Sequence, residues 1–323
     1  MKAIVLAYAA ADAASTTYRY SACQGFWAAE GHRLEIAGVR NVPPDFWRGL
    51  GAYDAIINQK ALLPRRLARR IFNAGKPVFF DFDDAIWTRP RRPYSWWTQW
   101  RVNHRIRYWL RRVQRVFAAN EHLAAYARRH NPQVTVVPMG LDLETWRPRT
   151  ERADGAIRIG WSGSPGNLWH LERLCDVLRR VVQSNPAGRL TVLCGQRPDF
   201  SFPFEHVPFV PRREAEFVRG LDIGLLPLQS DPYTMGKSPI KALQYLSCAV
   251  PVVGNIRGAT AEFLNAENSI AVETDEEWVT ALQRLIECPS ERLRLGQAGR
   301  RFVEQHHDLR RVSRQLLELL RGC

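Results

Sequence analysis

The chain has 323 residues, of which 46% are hydrophobic, so it is long enough to bury the cores of two ordinary domains. No apolar run reaches the roughly 18–20 residues of a membrane-spanning helix, which argues against an integral membrane segment. The net charge of +14 is uneven, with 24 Lys and Arg against 11 Asp and Glu in residues 1–150 (+13) and 22 against 21 in residues 151–323 (+1). The first half is therefore expected to meet an anionic partner.

Short apolar runs alternate with helical patterns in the first 75 residues. Strands are predicted at 3–8, 34–39 and 53–58, and helices at 19–30 and 64–74. The loop after the first strand lacks the G-x-G-x-x-G fingerprint, so a dinucleotide site is not supported there. Arg19, close to this loop, either faces a ligand or is a solvated residue at a helix start.

Three acids follow the next predicted strand, which begins at Pro77. Asp81, Asp83 and Asp84 are expected at the carboxyl edge of a parallel sheet, where open α/β sheets bind ligands. Carboxylates clustered there can bind sugar hydroxyls, act as acid or base groups, hold a metal, or pair with nearby Arg. We take Asp83 and Asp84 as candidate catalytic residues and expect no metal.

Residues 85–120 contain no Asp or Glu, and they carry nine Arg and five of the eleven Trp. A helix with one apolar face is predicted from Arg101, preceded by an irregular aromatic segment at 94–100. Trp beside Arg is typical of a membrane surface, so peripheral contact with an anionic membrane is expected through residues 85–116. The alternative is a core helix with a solvated basic face.

The rest of the chain continues the alternation. Strands are predicted at 116–119, 157–161, 190–195, 206–210, 221–228 and 250–254, and helices at 121–129, 168–183, 214–220, 238–247, 260–266, 275–287, 290–305 and 309–321. A polar stretch at 149–155 separates the two halves. Two doubly wound α/β domains with parallel sheets follow from this pattern.

The helix predicted at 238–247 has a well-marked start. Ser238 is suited to the N-cap, and Pro239 to the first helical position, where its missing N–H costs nothing. Gly236 and Lys237 come just before them. Free N–H groups at a helix start, a Gly and a Lys together favour an anion site. The alternative is an ordinary βαβ unit with a solvated Lys.

This stretch also carries a family resemblance. Gly236–Tyr245, followed by Ala249–Val253, resembles the donor-binding helix of the retaining, family-4-type GT-B glycosyltransferases, and 134–148 resembles the run that closes their first domain. The resemblance implies an α/β GT-B fold of two doubly wound Rossmann-like domains facing a central cleft. It implies an acceptor-side domain at 1–150, a nucleotide-sugar domain at 151–305, and a last helix at 306–323 that packs back on the first domain.

The same resemblance implies a set of donor contacts. The diphosphate is expected at Gly236, Lys237, Ser238, Pro239 and Ile240, with a small-residue loop nearby that supplies Gly163, Ser164 and Asn167. Val210 belongs to the segment that resembles the base-binding one, and Lys237 joins Asp83 and Asp84 as a candidate catalytic residue. The donor is a substrate, and no separate cofactor is expected.

The chain departs from the family at both carboxylates of its usual Glu pair. Gly236 stands at the first position and Gln244 at the second, where the family's Glu holds the ribose hydroxyls. An amide carbonyl can still accept a hydroxyl proton, so Glu at position 244 is expected to be tolerated. The two replacements also keep open a non-catalytic GT-B-like subunit or binding protein.

The function implied by the resemblance is transfer of a sugar from a nucleotide diphosphate sugar to a glycan or lipid-linked, anionic acceptor. Retention without a metal, in synthesis of bacterial cell-surface polysaccharide or lipopolysaccharide, is the expected setting. The six Cys are scattered without metal spacing, which favours free thiols in a reducing cytosol. A cytoplasmic protein, peripheral on the inner face of the membrane, is therefore expected. A nucleic-acid-binding protein is the remaining alternative, although no nucleic-acid motif is present.

Overall fold

The structure is a computed structural model that describes residues 1–8, 13–149, 155–211, 213–238 and 240–322. Its contacts divide the chain into two compact units. The first unit comprises Met1–Gly140, Asp231–Ser238 and Asp308–Cys323, and the second comprises Leu141–Ser230 and Pro239–His307. The segment Asp231–Ser238 thus belongs to the first unit, although it lies far along the chain.

Strands and helices alternate along both units. The strands are β1 (Lys2–Ala7), β2 (Arg33–Gly38), β3 (Ala55–Gln59), β4 (Val78–Phe82), β5 (Arg115–Ala118), β6 (Val134–Val136), β7 (Ile157–Ser162), β8 (Gly188–Cys194), β9 (Glu205–Pro208), β10 (Ile223–Leu226), β11 (Val252–Gly254) and β12 (Ser269–Ala271). The helices are α1 (Ala14–Thr17), α2 (Gln24–Ala29), α3 (Arg65–Phe72), α4 (Trp96–Leu110), α5 (Glu121–Arg128), α6 (Leu168–Glu172), α7 (Cys175–Ser184), α8 (Glu214–Arg219), α9 (Ile240–Ser247), α10 (Asp275–Glu287), α11 (Pro289–His306) and α12 (Leu309–Arg321). Short 3₁₀ helices occur at Ser21–Cys23, Pro44–Ala52, Pro165–Asn167, Thr234–Gly236 and Gly258–Glu262.

The first unit is built on a parallel sheet of order β2-β1-β3-β4-β5-β6. Successive side chains of a strand point to opposite faces, so each strand feeds two cores. Phe80 and Phe82 enter one core, whereas Phe79 enters the other, where it stacks on Phe117 at 5.3 Å between ring centroids. Apolar residues on both faces explain why these strands are continuous apolar runs.

Helix α12 covers one of these two faces. Five apolar residues of α12 share a core with Tyr20, Trp27 and β1, and they are Leu309, Val312, Leu316, Leu317 and Leu320. Trp27 Nε1 donates to the carbonyl of Ser313 at 3.3 Å. Gly140 allows the close approach, since a Cβ at that position would lie 3.0 Å from Leu309 Cα.

The second unit is built on a parallel sheet of order β12-β11-β10-β7-β8-β9. Gly224 in β10 leaves room for the Tyr245 ring of α9, because a Cβ there would lie 2.6 Å from the ring. The Tyr245 hydroxyl in turn accepts the N–H of Ser162 at 3.1 Å. The predicted α/β class with two doubly wound sheets is confirmed.

Four predicted helices differ in the structure. Helix α4 begins at Trp96, so the aromatic segment predicted as irregular is mostly helical. The helix predicted at 19–30 is a 3₁₀ turn followed by the short α2, and the one at 260–266 is only a 3₁₀ turn. The helix at 168–183 is interrupted at Leu174, whose backbone (φ −91°, ψ 10°) leaves the α region.

The described residues contain no helix that is both long and apolar enough to cross a membrane. The Cys residues of the described chain, Cys23, Cys175, Cys194, Cys248 and Cys288, are all free thiols.

Candidate active site

A cation and two carboxylates meet where β3 and β4 end. Lys60 follows β3 directly, and its Nζ lies 2.6 Å from Asp83 Oδ1 and 2.9 Å from Asp84 Oδ2. The strands are parallel neighbours, so their carboxyl ends share one sheet edge. Lys60 has a φ of +46°, uncommon for a residue with a side chain, and its N–H is held by the carbonyl of Asp81 at 2.7 Å.

The pKa values of the two carboxyl groups are shifted in opposite directions. Burial, with the charges of Asp84 and Asp81, raises the pKa of Asp83 to about 6, although Lys60 opposes the shift. Burial also acts to raise the pKa of Asp84, but the charges of Lys60 and Lys237 and a hydrogen bond from Tyr233 hold it below its usual value. Neighbouring carboxyls with such different pKa values are typical of acid–base sites.

The loop Asp231–Ser238 brings Lys237 to this cluster. The Asp231 carboxylate accepts the N–H groups of Tyr233 and Thr234 at 2.8 and 2.9 Å, and this turn leads into the 3₁₀ helix. The Lys237 ammonium is buried, which lowers its pKa, while the charges of Asp84 and Asp231 oppose that shift. Lys60, Lys237, Asp83 and Asp84 therefore form one largely buried group of alternating charge.

Asn120 anchors the end of the loop. Its Nδ2 donates to the Gly236 carbonyl at 3.2 Å and to Ser238 Oγ at 3.1 Å, while its Oδ1 accepts the N–H of Leu123 as the N-cap of α5. The Ser238 N–H donates to the Asp83 carbonyl at 3.3 Å. Pro239, predicted as the first helical residue, lies outside the described residues, and the described part of helix α9 runs from Ile240 to Ser247.

Gly236 has a steric reason to lack a side chain. A Cβ there would lie 2.9 Å from the Cβ of Ala85, 3.0 Å from Leu123 Cδ2 and 3.1 Å from His122 Cδ2. The position where the resembled family carries a Glu is therefore filled by the first unit itself. The loss of this carboxylate goes together with close packing of the loop on α5 and on Ala85, which follows β4.

In the second unit, Gly163, Ser164 and Asn167 form one tight loop after β7. A Cβ on Gly163 would lie 2.3 Å from Cη2 of Trp161, so only Gly fits. The Gly163 N–H donates to the Leu193 carbonyl at 3.1 Å, and Asn167 Nδ2 donates to Ser164 Oγ at 3.1 Å. The loop is thus held by one hydrogen bond to β8 and by another within the loop itself.

The two remaining predicted contacts occupy separate elements of the second unit. Val210, after β9, is 45% exposed and lines a groove of about 240 Å³ together with Arg213 and Phe217. Gln244, in α9, is fully buried between equally buried neighbours. Val210 is thus open to a ligand, whereas the Gln244 side chain is not exposed.

Sequence reasoning missed Lys60, Asn120 and Tyr233. Lys60 and Asn120 each stand just past a strand, β3 or β5, and these strands flank β4 in the sheet. A polar residue directly after an apolar run was the available signal, but the strand order was needed to bring the three ends together. The described residues hold no group of three or more His, Cys, Asp and Glu with the arrangement of a metal site.

The structure contradicts both alternatives expected for Arg19. It neither faces a ligand nor points to solvent, since it is 5% exposed and its Nη2 lies 2.5 Å from Asp81 Oδ1. Its Nη1 also donates to the Pro138 carbonyl at 2.9 Å. Arg19 and Asp81 form a buried structural pair, which separates Asp81 from the reactive cluster.

Residues 172–318 match the family model described as glycosyl transferase-like, whereas no curated protein matches the sequence. Several solved structures are similar over nearly the full chain. Sucrose-phosphate synthase from Thermosynechococcus elongatus is 14% identical with a TM-score of 0.76, covering 99% of this chain and 98% of its own. HepE from Anabaena, in complex with UDP-glucose, is 13% identical with a TM-score of 0.75, and the match covers 100% of both chains.

A glycosyltransferase from Rickettsia africae is 10% identical with a TM-score of 0.76, covering 99% of this chain and 98% of its own. Identities this low establish the fold, and the family match adds the sequence signature in the second half. Together they show that the chain has the GT-B fold and that its residues 172–318 are similar to the glycosyl transferase-like family.

Proposed function

We propose that the protein transfers a sugar from a nucleotide diphosphate sugar, with retention and without a metal, to a glycan or lipid-linked acceptor. Synthesis of bacterial cell-surface polysaccharide or lipopolysaccharide, at the cytoplasmic face of the membrane, is the proposed setting. The match of residues 172–318 to the glycosyl transferase-like family supports the nucleotide-sugar donor. The complex of HepE with UDP-glucose makes a UDP-sugar the first donor to test.

The observation that carries the proposal is the buried group of Lys237, Asp83, Asp84 and Lys60. Lys237 supplies a cation for the donor diphosphate, and a contact between a charged group and phosphate is commonly worth about 1.5–3 kcal/mol. Asp84 stays ionised and is suited to stabilise positive charge on the sugar ring as the diphosphate leaves. Asp83, with its pKa near 6, is suited to accept the proton of the attacking hydroxyl.

The second unit supplies the remaining proposed donor contacts. The loop of Gly163, Ser164 and Asn167 is assigned to phosphate, because glycine lets a ligand approach the backbone closely. Val210 is assigned to the base, and Gln244 to the ribose. Pro239 and Ile240, at the start of α9, are assigned to phosphate because a helix start favours anions.

Calorimetry with UDP tests the donor assignment. Lys237→Ala should weaken UDP binding about ten-fold or more, since one contact to phosphate is lost. Lys241→Ala is the matched control, because Lys241 lies nearby in the chain and its Nζ is 3.9 Å from Glu214. Equal UDP affinity for wild type and Lys237→Ala would remove Lys237 from the donor site.

Hydrolysis or transfer of UDP-sugars decides between an enzyme and a non-catalytic GT-B-like subunit. Wild type should release UDP above background, and Asp84→Asn should abolish most of the release. A protein that binds UDP yet never turns over any UDP-sugar in the presence of acceptor extracts would favour the subunit.

The proposed membrane contact rests on α4 and the segment before it. Trp96, Trp97 and Trp100 are 70, 61 and 56% exposed, in a stretch that contains no acidic residue. Each basic residue near an anionic membrane is worth roughly 1 kcal/mol, and this attraction decays within a Debye length of about 10 Å. Wild type should therefore sediment with anionic but not neutral vesicles and be released by salt.

A variant with Arg107, Arg111 and Arg115 changed to Gln should sediment less. If wild type ignores anionic vesicles at low salt, the membrane contact is lost and a soluble phosphorylated acceptor takes its place. Binding to duplex nucleic acid is expected to be only the generic, salt-sensitive attraction of a basic protein.

A further inference from the structure

A basic groove lies between α3 and α4 in the first unit, outside the site described above. It has a volume of about 530 Å³, within the range of small-ligand sites. Its lining is formed by Arg65, Arg69, Phe72, Asn73, Tyr108 and Arg112. Three guanidinium groups and no carboxylate therefore surround one concave surface.

The three arginines have no acidic partner in the part of the chain that the structure describes. No ion pair involves Arg65, Arg69 or Arg112 there, although most exposed arginines of the second unit have a Glu or Asp partner. Arg112 lies 4.0 Å and Arg65 lies 5.4 Å from the ring centroid of Tyr108. Stacking on an aromatic ring holds both guanidinium groups in place while leaving their N–H donors available.

The groove is continuous with the exposed tryptophans through a chain of side-chain contacts. Trp97 meets Trp100 at 6.1 Å, and Trp100 stacks on His104 at 5.5 Å between ring centroids. Arg65 Nη2 then donates to His104 Nε2 at 2.7 Å, and Arg65 reaches Tyr108. One surface of the first unit thus carries interfacial aromatic residues at one end and a cationic groove at the other.

We propose that this groove binds the phosphate of a membrane-lipid headgroup while Trp96, Trp97 and Trp100 enter the interface beside it. The proposal deepens the membrane contact of the proposed function and rests on it. Three guanidinium groups complement a phosphomonoester or diphosphate, to which Arg donates in bidentate fashion. Trp rings are stable at headgroup depth, which places a phosphate within reach of the groove. A bare phosphate is therefore preferred over an anionic headgroup of equal charge that presents a carboxylate.

The experiment compares two kinds of vesicle with the full-length protein. Phosphatidylcholine vesicles carry either phosphatidic acid, whose headgroup is a bare phosphomonoester, or phosphatidylserine adjusted to the same surface potential. Wild type should bind the phosphatidic acid vesicles at least ten-fold more tightly. Equal binding to both would overturn the proposal, because only the generic surface charge would then be acting.

Two charge-matched triple variants locate the preference. R65Q/R69Q/R112Q should lose the preference for phosphatidic acid over phosphatidylserine. R66Q/R70Q/R111Q changes three arginines that lie nearby but outside the groove. It should weaken binding to both kinds of vesicle equally and so retain the preference. If both triple variants lose the preference for phosphatidic acid to the same extent, the groove assignment is overturned. W96S/W97S/W100S should lower affinity for both vesicles at least five-fold.

Inorganic pyrophosphate separates a lipid headgroup from a soluble phosphate. The proposal fails if pyrophosphate displaces the protein fully from the vesicles while the tryptophan variant binds as wild type does. Affinity for UDP, measured on every variant, serves as the folding control and should stay unchanged. If the vesicle preference is absent while UDP binding is intact, only the groove assignment is overturned. If the preference is present while UDP does not bind, only the donor assignment is overturned.

Discussion

The Nζ atom of Lys60 lies 2.6 Å from Oδ1 of Asp83, and the same ammonium reaches Asp84 at 2.9 Å. One lysine, 10% exposed at its side chain, thus forms ion pairs with two neighbouring carboxylates at the edge of the first sheet. Burial acts against the charged ammonium, but the two carboxylates raise the pKa of Lys60 above its usual value. The protonation of Asp83 and Asp84 therefore depends on Lys60, which the sequence analysis did not identify.

Replacing Lys60 with Met should destabilise the protein by about 3–5 kcal/mol at pH 7.5, because breaking a buried ion pair leaves charges without a partner. The loss should shrink towards pH 5. A carboxyl whose folded pKa is raised binds more protons folded than unfolded, so its penalty is full above the folded pKa and fades as pH falls through it. Asp83, with a pKa near 6 even beside Lys60, should follow this course. Urea unfolding at both pH values measures the difference.

Lys60→Arg is the control for that prediction, since it keeps a cation near Asp83 and Asp84. It should lose less stability than Lys60→Met at pH 7.5. A Lys60→Met loss that is the same at pH 5 and pH 7.5 would contradict the assigned charge state.

The pKa of Asp83 also predicts a pH profile for activity. If the ionised carboxylate accepts the acceptor proton, kcat/KM should fall about ten-fold per pH unit below about 6. Asp83→Asn should lower the plateau by about 10²-fold or more and remove this limb. Asp45→Asn, an exposed acid paired with Arg48 in the same unit, should leave the profile unchanged. An acid limb that persists in Asp83→Asn would assign it to another group.

Gly236→Ala should destabilise the protein by about 1–3 kcal/mol, the usual cost of overpacking. The added Cβ would lie 2.9 Å from the Cβ of Ala85, which has no flexible end to move away. Gly25→Ala, inside α2 with nothing within 4 Å, is the matched control and should be neutral or stabilise by up to about 1 kcal/mol. Unfolding in urea compares them, and equal effects would mean that the loop 231–238 does not pack on Ala85.

Gln244→Glu is predicted to lower stability, contrary to the tolerance expected from sequence. Gln244 is fully buried, so the new carboxylate would leave water at a cost of about 2 kcal/mol or more. Burial would raise its pKa, so the cost should be full at pH 7.5 and smaller near pH 5. Gln183→Glu, on an exposed turn of α7, is the control. Unchanged thermal stability of Gln244→Glu at pH 7.5 would show that a cation or solvent reaches this position.

Local patterns were sufficient for most of the strands, although β6 and β12 were not predicted. Apolar runs bounded by Gly and Pro located β4 and β10, and the acids after Pro77 predicted Asp83 and Asp84 at a sheet edge. Asn120 and Lys60 could not be assigned, because their approach to Asp83 depends on the order β3-β4-β5, which no local pattern contains. Arg19 was misjudged for the same reason, since its partner Asp81 is 62 residues away.

The start of α4 was missed because its first turn reverses the usual pattern. Trp96, Trp97 and Trp100 are apolar residues on the exposed side, so hydrophobic periodicity gives no helical signal there. The same exposure is the reason to assign this turn to a membrane surface. The turn that lacks helical periodicity is thus the one that we propose contacts the membrane.

Helix α12 has a consequence for biosynthesis. The hydrogen-bond partner of Trp27 is Ser313, which lies 286 residues further along the chain. Domains generally fold as units while the ribosome is still adding residues. Here one face of the first sheet is not packed against Leu309–Leu320 of α12 until the entire second unit has been synthesised. A nascent chain stalled before Asp308 should therefore recruit chaperones through residues 1–140, whose core is completed only when α12 has been added.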